Sequence, residues 1–198
     1  MICSRSGKYC ARTDPRDGTV GYEMQNGSPG QKLWTLPGWY EVAALADDGK
    51  HFVTGYDGMN LIPIRFDPNM VMIRFHRSGT PIAEVRLNEM VNDLGKLRLT
   101  TSHRLWGNYA SDLDDEGLFS VSTVEGRRLW FDATTGHVVK TAPDASYLDP
   151  EPARSSAPEE PPRRSCACTM TERASRGQWF ALGVLGLALA LRRRRGKG

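Results

Sequence analysis

Residues 1–140 of this 198-residue chain read as all-β. Three observations give that class. Helical spacing of apolar residues is almost absent. Short segments rich in β-branched and aromatic residues alternate apolar and polar side chains. Gly next to Asp, Asn, Ser or Glu recurs between those segments, and such pairs suit tight hairpin turns. In chain order, the alternation predicts strands over Lys8–Thr13, Thr19–Met24, Val42–Ala46, His51–Tyr56, Met70–His76, Ile82–Arg86, Phe119–Val124, Arg128–Asp132 and His137–Lys140. One short helix is expected over Leu87–Asn92. Turns are expected at Asp47-Asp48-Gly49, Ser78-Gly79, Glu116-Gly117, Glu125-Gly126 and Thr135-Gly136. If Ser6-Gly7 is a two-residue turn, Cys3 faces Cys10 at a hydrogen-bonded position, where Cα atoms lie about 5.5 Å apart. A disulfide is within reach at that distance; two small buried hydrophobes are the alternative.

A repeat runs through these strands. Leu33-Trp34, the stretch Ala46 to Val53 and the stretch Phe75 to Gly79 form one unit. Leu105-Trp106, Asp114 to Val121 and Phe131 to Gly136 form a second, and Ser4 to Ala11 looks like the start of a partial one. The unit resembles a β-propeller blade. A closed propeller takes about 4–8 blades of four strands, more than residues 1–140 can supply. The expectation is therefore two or three blade-like antiparallel sheets, buried on Trp34, Trp39, Phe52, Phe75, Trp106, Phe119, Trp130 and Phe131. The body also resembles secreted bacterial β-rich domains, a likeness that implies a fold and no activity.

The formal charge of +3 is unevenly spread. Residues 163–198 carry nine basic groups and one acid, and residues 141–162 carry one basic group and five acids. The β-rich part is therefore nearly neutral and has no basic block to neutralise phosphates, which argues against nucleic acid as a partner. Residues 141–164 form a Pro-rich acidic spacer, with Pro143, Pro150, Pro152, Pro158, Pro161 and Pro162 among Ser, Ala and acids. Such a composition has little to bury and acts as a stiff linker.

Residues 165–198 form a tripartite tail. Cys166 and Cys168 come first, then the uncharged apolar run Trp179 to Leu191, then Arg192, Arg193, Arg194 and Arg195. As a helix the run spans roughly 20 Å, short against a hydrocarbon core of about 30 Å. Trp179 and Phe180 mark one interface, and the arginines favour the cytoplasmic side. The Leu and Val side chains point all round the helix, unlike an amphipathic surface helix. This order of elements resembles the MYXO-CTERM protein-sorting signal. The resemblance implies a transmembrane sorting helix, recognition by a sorting intramembrane protease, cleavage near Cys166 or Cys168, and attachment at the cell surface. An exported protein needs a signal peptide, yet Met1 to Arg5 contains no apolar stretch, so the true start is expected upstream.

The candidate chemistry is thin. The cysteine spacings form no zinc pattern. His51, His76 and His137 fall near turns or strand ends, where exposed polar residues are ordinary. His103 lies in a polar, aromatic stretch, and is read as hydrogen-bonded under Trp106 or, alternatively, as a ligand-contacting or hydrolytic base. Ser102 beside it would face the opposite side of a strand and could not pair with it. Asp112, Asp114 and Glu116 fit the front half of a calcium loop, with Gly117 at the sixth position. Thr123 stands where the bidentate Glu belongs, so a solvated acidic turn is the competing reading. Asn26-Gly27-Ser28 matches a glycosylation acceptor and, more simply, a turn. The expected function is a surface-anchored, non-enzymatic β domain that binds protein or glycan and needs no cofactor. A secreted hydrolase using His103 and a calcium-stabilised adhesion module are the rivals.

Overall fold

The structure, a computed structural model, describes residues 1–147. The tail residues Cys166, Cys168 and Arg192 to Arg195 lie outside the described residues, as does the apolar run between them. Within 1–147 the chain is all-β and antiparallel, with one short α-helix.

The first sheet is a four-stranded meander of β1 (Ile2–Cys3), β2 (Tyr9–Asp14), β3 (Gly18–Gln25) and β4 (Ser28–Leu36). The second begins with β5 (Ala43–Leu45) and β6 (His51–Gly55). An excursion carrying β7 (Leu61–Pro63) follows, and the sheet resumes with β8 (Val71–Arg77) and β9 (Thr80–Arg86). Helix α1 (Leu87–Met90), a 3-10 turn at Leu94–Lys96, β10 (Arg98–Leu99) and β11 (His103–Leu105) lead onward. Strands β10, β11 and β7 pair as a small separate sheet. The third meander is β12 (Gly107–Tyr109), β13 (Leu118–Thr123), β14 (Arg127–Asp132) and β15 (Val138–Pro143), closed by a 3-10 turn at Ala145–Tyr147.

Each strand expected from the alternation overlaps an observed one. The missed strands have physical reasons. β4 contains Pro29 and Gly30, which weaken the strand signal but are tolerated because β4 is a sheet edge. β1, β7, β10, β11 and β12 are two or three residues long, too short for a period-two pattern. With β4 in place, the stretch that looked like a partial repeat is a complete four-stranded sheet. Asn26-Gly27 forms the two-residue turn between β3 and β4, with φ of 52° and 77° and Gln25 opposite Ser28. Both central residues need positive φ in such a turn, which Asn and Gly supply.

The second sheet is the middle layer, and its strands β5 and β6 are buried on both sides. Phe52 joins one cluster with Ala11, Trp34, Leu36, Ala43 and Leu45 toward the first sheet. Its neighbour Val53 joins the larger cluster around Phe75, Trp106, Phe119 and Phe131 toward the third. Alternation along one strand thus feeds two cores. Aromatic contacts knit both: Trp34 and Phe52 ring centroids lie 5.2 Å apart, and Phe75 and Phe131 lie 6.0 Å apart. Trp34 lies flat on Gly21, where a Cβ would collide with the indole.

Two expected core aromatics are outside the core. Trp39 is 43% exposed in the link between β4 and β5. Trp130 is half-buried on the outer face of the third sheet, with Lys140 Nζ 4.6 Å from its ring centroid. The cause is β14's alternation, which gives Leu129 and Phe131 to the core and turns Trp130 outward.

Candidate functional site

The repeated turn is where the three sheets meet. Gly7 N–H donates to Ser4 O at 2.8 Å, Gly49 N–H to Ala46 O at 3.0 Å, and Gly117 N–H to Asp114 O at 3.0 Å. Each turn joins the first and second strands of its meander. Together they line a cleft of about 510 Å³, with Arg5 and Ser6 from the first sheet, Asp47 from the second, and Asp114, Asp115 and Glu116 from the third. Leu45 and Leu113 provide an apolar floor.

Two contacts lock the turns together. Ser6 N–H donates to Asp47 Oδ1 at 2.8 Å, and Arg5 pairs with Asp115 Oδ1 at 2.6 Å. Hydrogen bonding from Ser6, by hydroxyl and by N–H, holds the Asp47 carboxyl below its ordinary value, and the Arg5 charge adds to this. The cleft therefore presents carboxylate oxygens around one guanidinium, and can take a ligand carrying both a cationic and a polar group.

Cys3 and Cys10 are disulfide-bonded at directly opposed positions of β1 and β2. Their Cα atoms lie 3.9 Å apart, not the 5.5 Å expected of a hydrogen-bonded pair. The turn explains the difference. It is not a two-residue turn: the loop runs over Arg5 to Lys8, and Ser4 N–H donates to Tyr9 O at 2.8 Å. Ser4 and Tyr9 take the hydrogen-bonded position, so alternation puts the cysteines at a non-hydrogen-bonded one, where strands approach more closely.

The other sequence candidates do not assemble a reactive centre among the described residues. His103 is exposed and does not lie under Trp106; the Trp106 indole N–H instead donates to Met59 O at 2.7 Å. Ser102 Oγ lies 2.8 Å from His103 Nδ1, contrary to the strand argument, because Ser102 sits in a bend before β11. No hydrogen-bonded carboxylate orients the imidazole, and neither residue lines the cleft. Asp114 Oδ1 accepts from Glu116 N–H at 3.0 Å and Leu118 N–H at 2.9 Å, while Asp112 Oδ1 accepts from Leu113 N–H at 2.8 Å. These oxygens cap their own turn, and no group of three or more ligand-type side chains among the described residues could hold a metal ion.

Two histidines expected at the surface are buried. His51 Nδ1 lies 2.6 Å from Asp48 Oδ2. His76 is 2% exposed between the first and second sheets, with Nε2 3.2 Å from Thr54 Oγ1. Neither burial was legible, because nothing in the sequence says that the second sheet is covered on both faces. Among the described residues no helix is long and apolar enough to cross a membrane.

Comparisons with known proteins add little to this geometry. The chain matches no protein-family model and no curated protein. It is similar to the solved structure of U3-55K at 9% identity and a TM-score of 0.38, over 71% of this chain and 37% of that one. It is also similar to the WD40 beta propeller domain of Doa1 at 10% identity and a TM-score of 0.20, over 68% of this chain and 64% of that one. The chain spans less than two thirds of the length of either. Likenesses at this level carry no argument about activity.

Proposed function

We propose that this chain is an exported, surface-anchored binding domain, displayed on a Pro-rich stalk and delivered by its MYXO-CTERM-like tail. Its three meanders are read as blade-like units, and the cleft where their first turns converge is the face offered to a protein or glycan ligand. The observation that supports this most directly is the Cys3–Cys10 disulfide. Structural disulfides belong to oxidising compartments, outside the cytosol, and this one closes the hairpin that carries Arg5 and Ser6 into the cleft. A binding role is preferred over hydrolysis because His103 lies outside the cleft and no hydrogen-bonded carboxylate orients it.

The tail supplies the anchoring half of the proposal. Cleavage near Cys166 or Cys168 by a sorting intramembrane protease would remove the apolar run and Arg192 to Arg195, leaving the cysteine for attachment. Intact mass of the protein recovered from the envelope, expressed from its native locus, tests this. The expected mass lacks the segment after the cysteines and carries any lipid. Recovery of the full chain from the cytosol, with the arginines still present, defeats the proposal.

A further inference from the structure

The two sulfurs of the disulfide sit in unequal places. Cys10 is 2% exposed in β2, which pairs on its other side with β3 over six positions. Cys3 is exposed on β1, which holds to β2 over two residue pairs and the Ser4–Tyr9 hydrogen bond, with Ile2 half-buried against the first cluster. So short a ladder contributes little by itself. Yet β1 runs directly into the turn that sets Arg5 against Asp115 and Ser6 against Asp47.

We propose that the Cys3–Cys10 bond is a thiol-sensitive latch on the cleft. The proposal deepens the binding reading above and rests on it only for its biological consequence. The reductant is a dithiol. Its thiolate attacks Sγ of Cys3, the exposed residue of the pair, the S–S bond breaks, and Cys10 leaves as a thiolate. The second thiol of the reductant then closes on the mixed disulfide and releases Cys3 as a thiolate. Two electrons pass from the dithiol to the cystine, and the dithiol's two protons end on the cysteines. With the loop no longer closed covalently, the hairpin regains its chain entropy, β1 separates from β2, and Arg5 leaves Asp115. The cleft then loses its guanidinium and the N–H held on Asp47, and becomes wider and more acidic. The body of the first sheet stays in place, because β2, β3 and β4 keep their own long ladders and the Trp34–Phe52 contact.

Hydrogen exchange on the full chain, with Cys166 and Cys168 changed to Ser so that only one cystine can respond, tests the latch. Dithiothreitol should speed exchange at Ser4, Ser6 and Tyr9 by on the order of tenfold or more, leave β3 and β8 amides unchanged, and quicken tryptic cleavage after Arg5. A Cys3→Ser, Cys10→Ser variant should show the fast pattern without reductant and no further response to it. Unchanged exchange at Ser4 and Ser6 after mass spectrometry confirms reduction would overturn the proposal. So would equal acceleration across β3 and β8, which would make the bond a staple of the whole domain. The measurement uses no ligand, so a negative result leaves the surface-binding reading standing, and failure of that reading leaves the latch result standing.

Discussion

His76 shows how one buried residue ties stability to pH. Burial between two sheets, with the Arg74 charge nearby, lowers its pKa from 6.5 to about 4. Its Nδ1 meets no hydrogen-bond partner, and the rings of Tyr40 and Phe52 lie 6.5 and 6.4 Å away. An unfolded chain binds the proton from about pH 6.5 downward, whereas the folded one resists until about pH 4. Stability is therefore full above pH 6.5 and falls as pH drops through that window, by about 2–3 kcal/mol. Urea denaturation at pH 7.5 and pH 4.5 should give a drop that His76→Phe or His76→Gln reduces by most of that amount. Equal drops in wild type and variants would show that His76 is not the group responsible.

At the scale of elements, the end of β15 is fixed by one carboxylate. Asp144 accepts from Ser122 Oγ at 2.5 Å and from Arg128 Nε at 2.9 Å, and its own N–H donates to Gly126 O at 2.7 Å. The Ser122 and Ser146 hydroxyls, with Arg128 behind them, keep its carboxyl well below the usual carboxylate range. Asp144→Ala leaves Ser122 and Arg128 without their acceptor, and should cost about 2 kcal/mol in thermal unfolding. Asp144→Asn should cost less, since it keeps an acceptor oxygen. β15 thus runs to Pro143, and the ordered chain continues past residue 140, where the spacer was expected to begin. That extension was hard to read, because Pro143 and the acids around it resemble linker composition. Alternation and turn chemistry made β2, β3, β6, β8, β9, β13 and β14 legible. The convergence of the three turns was not, because the repeat locates each turn in sequence but says nothing of how sheets fan out in space. The placement of Arg5 opposite Asp115 depends on a separation of over a hundred residues and leaves no local pattern.

For the molecule as a whole, the middle sheet decides cooperativity. Phe52 and Val53 are adjacent, fully buried, and committed to different clusters. Phe52→Ala should cost about 3–5 kcal/mol. Because both clusters draw on β6, the loss should lower one shared transition and not split it. Calorimetry of residues 1–147 and of the Phe52→Ala variant checks this: two separated transitions in either would show that the clusters unfold independently.

The arrangement of the turns carries a consequence for how a recognition surface could change over time. The cleft-lining residues sit at or beside the tips of three hairpins, and one such as Glu116, which makes neither of the contacts that lock the turns together, can be exchanged with little penalty to the framework. Drift at those few tips would retune what is bound while the layers beneath stay the same, so close descendants of this scaffold are expected to differ most in preference and least in architecture.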